Sequence, residues 1–200
     1  MKKQIFLIIV IGHIIVAYPQ KYVGPRDFVP GTFIDERDNK TYRCITIEGK
    51  AWIAENLNYA VGVGSWCYAL NVLNKMTGKA SEGCDQYGRL YTWETAQKVC
   101  PDRWHLPSDE EWKALIRAFG GDPEIKQKTK IDILLDFNPQ LGGFRNGFGV
   151  FRGIDATGFY WSSSDRDNEG SYLRFDKEAF VLWYHAGKNY GFSVRCVRDY

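Results

Sequence analysis

The thirteen residues Cys100-Pro-Asp-Arg-Trp-His-Leu-Pro-Ser-Asp-Glu-Glu-Trp112 constrain this chain more than any other stretch. Ser108 stands just before an apolar run and Glu111 follows three residues later. That is a capping box, in which each side chain satisfies the other residue's orphan backbone N–H. Trp112, Leu115, Ile116 and Phe119 recur at helical spacing, so a helix over 109–119 has one apolar face. Gly120-Gly121 provides the left-handed stop. A chain with this much local agreement contains a folded domain, and its 200 residues leave room for one domain and little else.

The start reads as an export signal. Lys2-Lys3 precedes an apolar run from Ile5 to Ala17, and Ala17 is a small residue at a plausible cleavage point. The run is short for a bilayer span, and no cysteine lies near the cleavage point, so a lipid anchor is not expected. Residues 1–17 are assigned to the signal, 18–32 to a leader or linker rich in Pro and Gly, and 33–200 to the domain. Loss of Lys2 and Lys3 leaves 24 of the 26 basic side chains against 24 acidic ones, with no long basic block. Nucleic acid and anionic membranes are therefore poor partners. The expected location is outside the cytoplasm: extracellular, periplasmic or on the cell surface.

Export favours disulfides among the five cysteines, Cys44, Cys67, Cys84, Cys100 and Cys196. Four cysteines allow three pairings. Cys67 and Cys84 flank one irregular stretch, so a local pair is simplest, which leaves Cys100 to join Cys196 and Cys44 as a free, buried thiol. There is no CxxC, and only His105 and His185 lie beyond the signal, so neither zinc nor any other cofactor is assigned.

Thr41–Ile47 alternates like a strand, Glu48-Gly49 turns, and Ala51–Ile53 returns as a hairpin. Asn56–Ser81 reads as a long loop, Thr92 caps a short helix to Val99, and Asp122-Pro123 signals another helix over 123–130. Phe159–Ser163, Tyr172–Phe175, Val181–His185 and Phe192–Val197 read as antiparallel strands, the last with Cys196 facing the core. Hairpin, two helices and then a sheet make the fold class α+β.

Several runs, in order, resemble the Fibrobacter succinogenes major paralogous domain: Trp52-Ile-Ala-Glu-Asn-Leu-Asn-Tyr59, Tyr87-Gly-Arg-Leu-Tyr-Thr-Trp93, Trp104-His-Leu-Pro-Ser108 with Glu111-Trp112, Gly143-Phe-Arg-Asn146, Tyr160-Trp-Ser-Ser-Ser164 and Gly191–Asp199. The family occurs chiefly on exported bacterial proteins and has no settled activity. A more distant similarity to formylglycine-generating enzymes and the C-type-lectin-like fold implies two main helices packed on small twisted antiparallel sheets, with long loops. The formylglycine reaction needs a thiol pair that is missing, since no cysteine lies between Cys100 and Cys196.

The expected function is thus a non-enzymatic exported domain that binds a glycan or protein ligand, with a structural surface module as the alternative and an unrecognised enzyme as the less favoured one. Candidate ligand-binding residues come from the late strands and turns. Asp165 and Asp167 lie in Asp165-Arg-Asp-Asn-Glu-Gly170, which echoes a calcium loop but also reads as an acidic turn. Trp183 and His185 share a strand face beside Lys188 and Asn189, an arrangement that can stack on a sugar or simply pack within a sheet, and Arg174 completes the set.

Overall fold

The structure, a computed structural model, describes residues 29–68, 81–119, 121, 129–130, 137, 139–177 and 180–199. The proposed signal, most of the leader and most of the 123–130 helix fall outside them. Val29 to Thr32, however, already belong to strand β1 (Val29–Asp35), and Thr129–Lys130 form a short strand, β6.

Two sheets dominate. The first has four strands in the order β1, β2 (Lys40–Ile47), β3 (Lys50–Ile53) and β13 (Val197–Asp199). Glu48 and Gly49 take φ of 48° and 75° in the β2–β3 turn, the left-handed pair that a two-residue hairpin needs. The second sheet has nine strands. Its path runs β4 (Ser65–Trp66), β5 (Leu90–Tyr91), β12 (Phe192–Ser193), β9 (Thr157–Arg166), β10 (Glu169–Asp176), β11 (Phe180–Gly187) and β6. The hairpin of β7 (Gly142–Arg145) and β8 (Phe151–Ile154) joins it through β9.

The α+β, lectin-like expectation of two main helices on small sheets is therefore overturned. The described residues are mostly β, with three short helices: α1 (Ser81–Tyr87), α2 (Trp93–Val99) and α3 (Asp109–Ala118). The caps form as the sequence predicts: Thr92 accepts from the Thr95 amide, and both halves of the Ser108–Glu111 box are present. The helices do not form a layer, because the long β9 strand separates them. Ala96 and Val99 of α2 pack in one cluster with Trp161, whereas Trp112, Leu115 and Ile116 of α3 pack in another with Tyr160. Adjacent strand residues point to opposite faces, so the helices flank β9 from two sides.

Sheet one is sandwiched between the same two clusters. Trp52 joins the α3 side and Ala51 and Ile53 the α2 side, so β3 is buried on both faces. The segment expected as one terminal strand is two. Phe192–Ser193 pairs with β5 and β9 of the second sheet, and Val197–Asp199 pairs with β3 of the first. The crossing holds Cys196, fully buried and bonded to Cys100 at the end of α2. Cys67 and Cys84 form the second disulfide. The cysteine assignment needs one correction. A free thiol is confined to Cys44, which is half-buried rather than buried, and burial pushes it up to about 11.

An ion pair ties the edge of sheet one to α2. The Asp35 side chain is fully buried and takes Arg37 Nε at 2.8 Å and Nη2 at 2.7 Å. Arg37 Nη1 reaches the Val99 carbonyl at 2.9 Å, and the guanidinium lies 3.9 Å from the Tyr59 ring centre. Burial alone would raise the Asp35 carboxyl, but the Arg37 hydrogen bonds and charge outweigh it and hold the group below its ordinary 3.8. A depressed carboxyl contributes stability above its unfolded value and loses it as pH falls through the folded one. Asp35→Asn should accordingly flatten the fall in urea stability of the full chain between about pH 5 and pH 3. Parallel profiles for variant and parent would refute the assignment.

Candidate functional site

The second sheet divides the residues that the sequence singles out. Register pairs Ser171 with His185, Tyr172 with Tyr184, Leu173 with Trp183 and Arg174 with Leu182. Trp183 and His185 do share a face, the one turned towards the α3 cluster, though His185 itself is exposed. Trp183 packs against the cluster of Trp52, Trp112 and Phe175. His185 Nδ1 sits 3.1 Å from Ser171 Oγ. Ser171 is 2% exposed, too enclosed to attack a substrate, so the pair acts as a cross-strand hydrogen bond.

Asp167 and Asn168 have φ of 48° and 70° and form a two-residue hairpin turn between β9 and β10. The segment is thus a turn between two strands, and its two aspartates lie beside cations. Asp165 accepts from Lys188 Nζ at 2.7 Å, and Asp167 faces Arg166 Nε at 3.5 Å. Lys188 also lies 4.0 Å from the Trp93 ring centre, so it fastens the hairpin to the start of α2. Among the described residues no group of three His, Cys, Asp or Glu side chains converges as a metal site would require.

Arg174 lies on the opposite face, whose buried centre is Trp161 and Phe192, and there residues outside the predicted set pack along the edge of that core cluster. Tyr184 stacks on Tyr172 at 5.7 Å, Tyr172 meets Phe159 at 5.8 Å, Phe159 meets Phe144 at 4.8 Å, and Phe144 lies parallel to Tyr190 at 6.5 Å. Tyr184 is 42% exposed, and the other four are half-buried. At the Tyr190 end three loops converge. Arg145 stacks on Trp66 at 4.0 Å, its amide donates to Gly191, and Gly147 faces the Asn189 amide. Asn189 and Arg174 are thus the predicted polar residues beside this strip. The alternation of Tyr172 and Arg174 with Leu173 and Phe175 was the available signal, since it marks two differently populated faces.

A cleft of about 220 Å³ lies elsewhere, lined among others by Lys40, Tyr42, Glu55, Asn56, Asn58 and Gln140. Its charges are used locally: Glu55 accepts from the Arg43 amide at 2.7 Å, and Lys40 Nζ meets Asp38 at 3.2 Å. Asn56 belongs to a buried polar junction. It donates to the Tyr87 carbonyl at 2.8 Å and to Ser193 Oγ at 3.1 Å, and accepts from Arg195 Nε at 2.9 Å. Gly88 packs on it at positive φ of 71°, where a Cβ would come within 2.6 Å of the Asn56 Cβ. The Tyr160 hydroxyl donates to the Gln140 carbonyl beside them at 2.6 Å.

A family model described as the Fibrobacter succinogenes major domain matches residues 45–198. The chain belongs to that family. No curated protein and no solved structure matches it. In this Fibrobacter succinogenes major domain, the match begins inside β2, so β1 and most of β2 complete the first sheet from residues before it. Asn56, Tyr87, Gly88, Tyr160, Ser193 and Arg195 all lie within the match, and their contacts are internal. Two disulfides fit an oxidising compartment, and among the described residues no helix is long and apolar enough to cross a membrane.

Proposed function

We propose that the domain is a non-enzymatic module acting outside the cytoplasm and that it binds a glycan along the partly exposed edge of its second sheet that carries Tyr184 and Tyr190. The observation that supports this reading is the unbroken row of rings from Tyr184 to Tyr190, which continues into the strand-end residues Arg145 and Trp66. Flat aromatic faces give an apolar surface to the C–H side of a sugar ring, while hydroxyl and amide groups at their edge meet its polar rim. Tyr184, Tyr190 and Asn189 offer both kinds of contact. The fixed hairpin register sets the spacing of the rings, so little side-chain entropy is lost on binding.

The experiment is a polysaccharide binding series with the full, oxidised chain. Tyr184→Ala and Tyr190→Ala should each weaken a bound glycan about tenfold, or about 1.4 kcal/mol, while Trp183→Phe on the opposite face leaves affinity unchanged. Blank binding across the series, or equal affinity in all variants, would sink the reading. The alternative, a purely structural surface module, draws support from the number of family-region residues spent on the buried junction around Asn56. It predicts the blank result.

A further inference from the structure

We propose that the glycan is acidic, and that Arg174 and Arg152 select its carboxylate or sulfate groups on either side of the Phe159–Phe144 pair. This inference rests on the glycan reading above and names the charge class of the ligand.

Register fixes the geometry. Arg174 stands directly opposite Phe159, and Arg152 directly opposite Phe144. Residues opposed across antiparallel strands project to the same side, so both arginines share the face of the aromatic strip. Phe144 and Phe159 touch at 4.8 Å, which makes the order across the sheets arginine, ring, ring, arginine. Tyr172 and its stacked partner Tyr184 continue the row beside Arg174, two residues along β10.

Among the described residues the buried Arg174 Nε has no hydrogen-bond partner. Phe159, directly opposite it on β9, has no side-chain acceptor. Arg152 is exposed at the other side of the pair. One carboxylate, Asp176, follows Arg174 on the same face of β10. Asp165, by contrast, is held by Lys188 at the far end of the hairpin. A guanidinium is a planar fork that matches a carboxylate or sulfate with two parallel hydrogen bonds. Rings alone would accept any sugar. Rings between two such forks favour a polymer that alternates a stacking face with an anion.

Single-stranded nucleic acid also joins flat rings to anions, and it forms one arm of the test. The full, oxidised chain is run in affinity electrophoresis through gels containing polygalacturonate, a sulfated dextran, neutral dextran or single-stranded DNA. At least one acidic polysaccharide should retard it about tenfold more strongly than neutral dextran, and added salt should erase the difference. Which acidic polymer binds separates carboxylate from sulfate. The double variant R152Q/R174Q should lose that preference while keeping its thermal midpoint and its retardation by neutral glycan. R174K, with charge but no fork, should fall between. Equal retardation by acidic and neutral polymers would overturn the acidic assignment and leave the glycan reading standing. No retardation by any polysaccharide would overturn both. Tighter binding of the DNA would overturn the choice of ligand class.

Discussion

Replacing Arg195 by methionine is expected to destabilise the domain by about 3–5 kcal/mol, a large share of the stability of an ordinary domain. The side chain is fully buried. Its Nε donates to Asn56, one terminal nitrogen donates to the carbonyls of Phe137 at 3.0 Å and Ile53 at 3.4 Å, and the guanidinium lies 4.5 Å from the Phe137 ring centre. Truncation strands several buried acceptors at once, and each one costs about 1–3 kcal/mol. Methionine fills much of the volume and supplies no donor, so the experiment isolates the hydrogen bonds. Arg195→Lys keeps the charge but cannot span Asn56 and the two carbonyls with one ammonium, so it should also lose stability. Urea unfolding followed by circular dichroism measures the difference. A loss below about 1 kcal/mol for the methionine variant would show that the junction contributes little.

The second large effect concerns the disulfides. Cys100 and Cys196 are 96 residues apart in sequence, and Cys67 and Cys84 are 17 apart. On the chain-entropy account, removing the long link costs about 4–5 kcal/mol and the short one about 3. The paired variants Cys100→Ala/Cys196→Ala and Cys67→Ala/Cys84→Ala should therefore unfold at clearly different urea concentrations, the first pair lower. Burial acts in the same direction, because Cys196 is fully buried and its loss also removes packing. Equal midpoints, or a lower midpoint for the Cys67/Cys84 pair, would contradict both arguments.

What the sequence reveals of this fold follows the range of the interactions involved. Ser108 and Glu111 satisfy each other across three residues, so the capped start of α3 is legible from the chain alone. The Asp167–Asn168 turn is equally local. The balance of sheet and helix is not, because β4, β5 and β12 are two residues each and leave no periodic trace. Phe192 to Val197 are all buried, so their pattern reads as one continuous strand. Only their partners, β5 and β9 at one end and β3 at the other, reveal two.

The candidate site shows the same limit. Parity correctly places Trp183 beside His185, but it cannot say which face of β11 lies inward. That is decided by α3, whose Trp112 occupies the cluster Trp183 joins. Arg174 was legible as a polar residue on a strand. Its place within a row of rings was not, because Phe144 arrives from β7 and Tyr190 from the segment after β11.

The crossing at residues 194–196 also sets the order in which the molecule can become whole. β3 lies near the start of the described chain, and its edge stays open until Val197–Asp199 arrives to pair with it. β5 and β9 wait in the same way for Phe192–Ser193. A fragment that stops before Phe192 holds two unfinished sheets, each with a bare edge able to pair with another chain. The domain therefore has no half that can mature ahead of the other. Its two sheets close together, and the short segment that closes them is also the one the long disulfide locks in place.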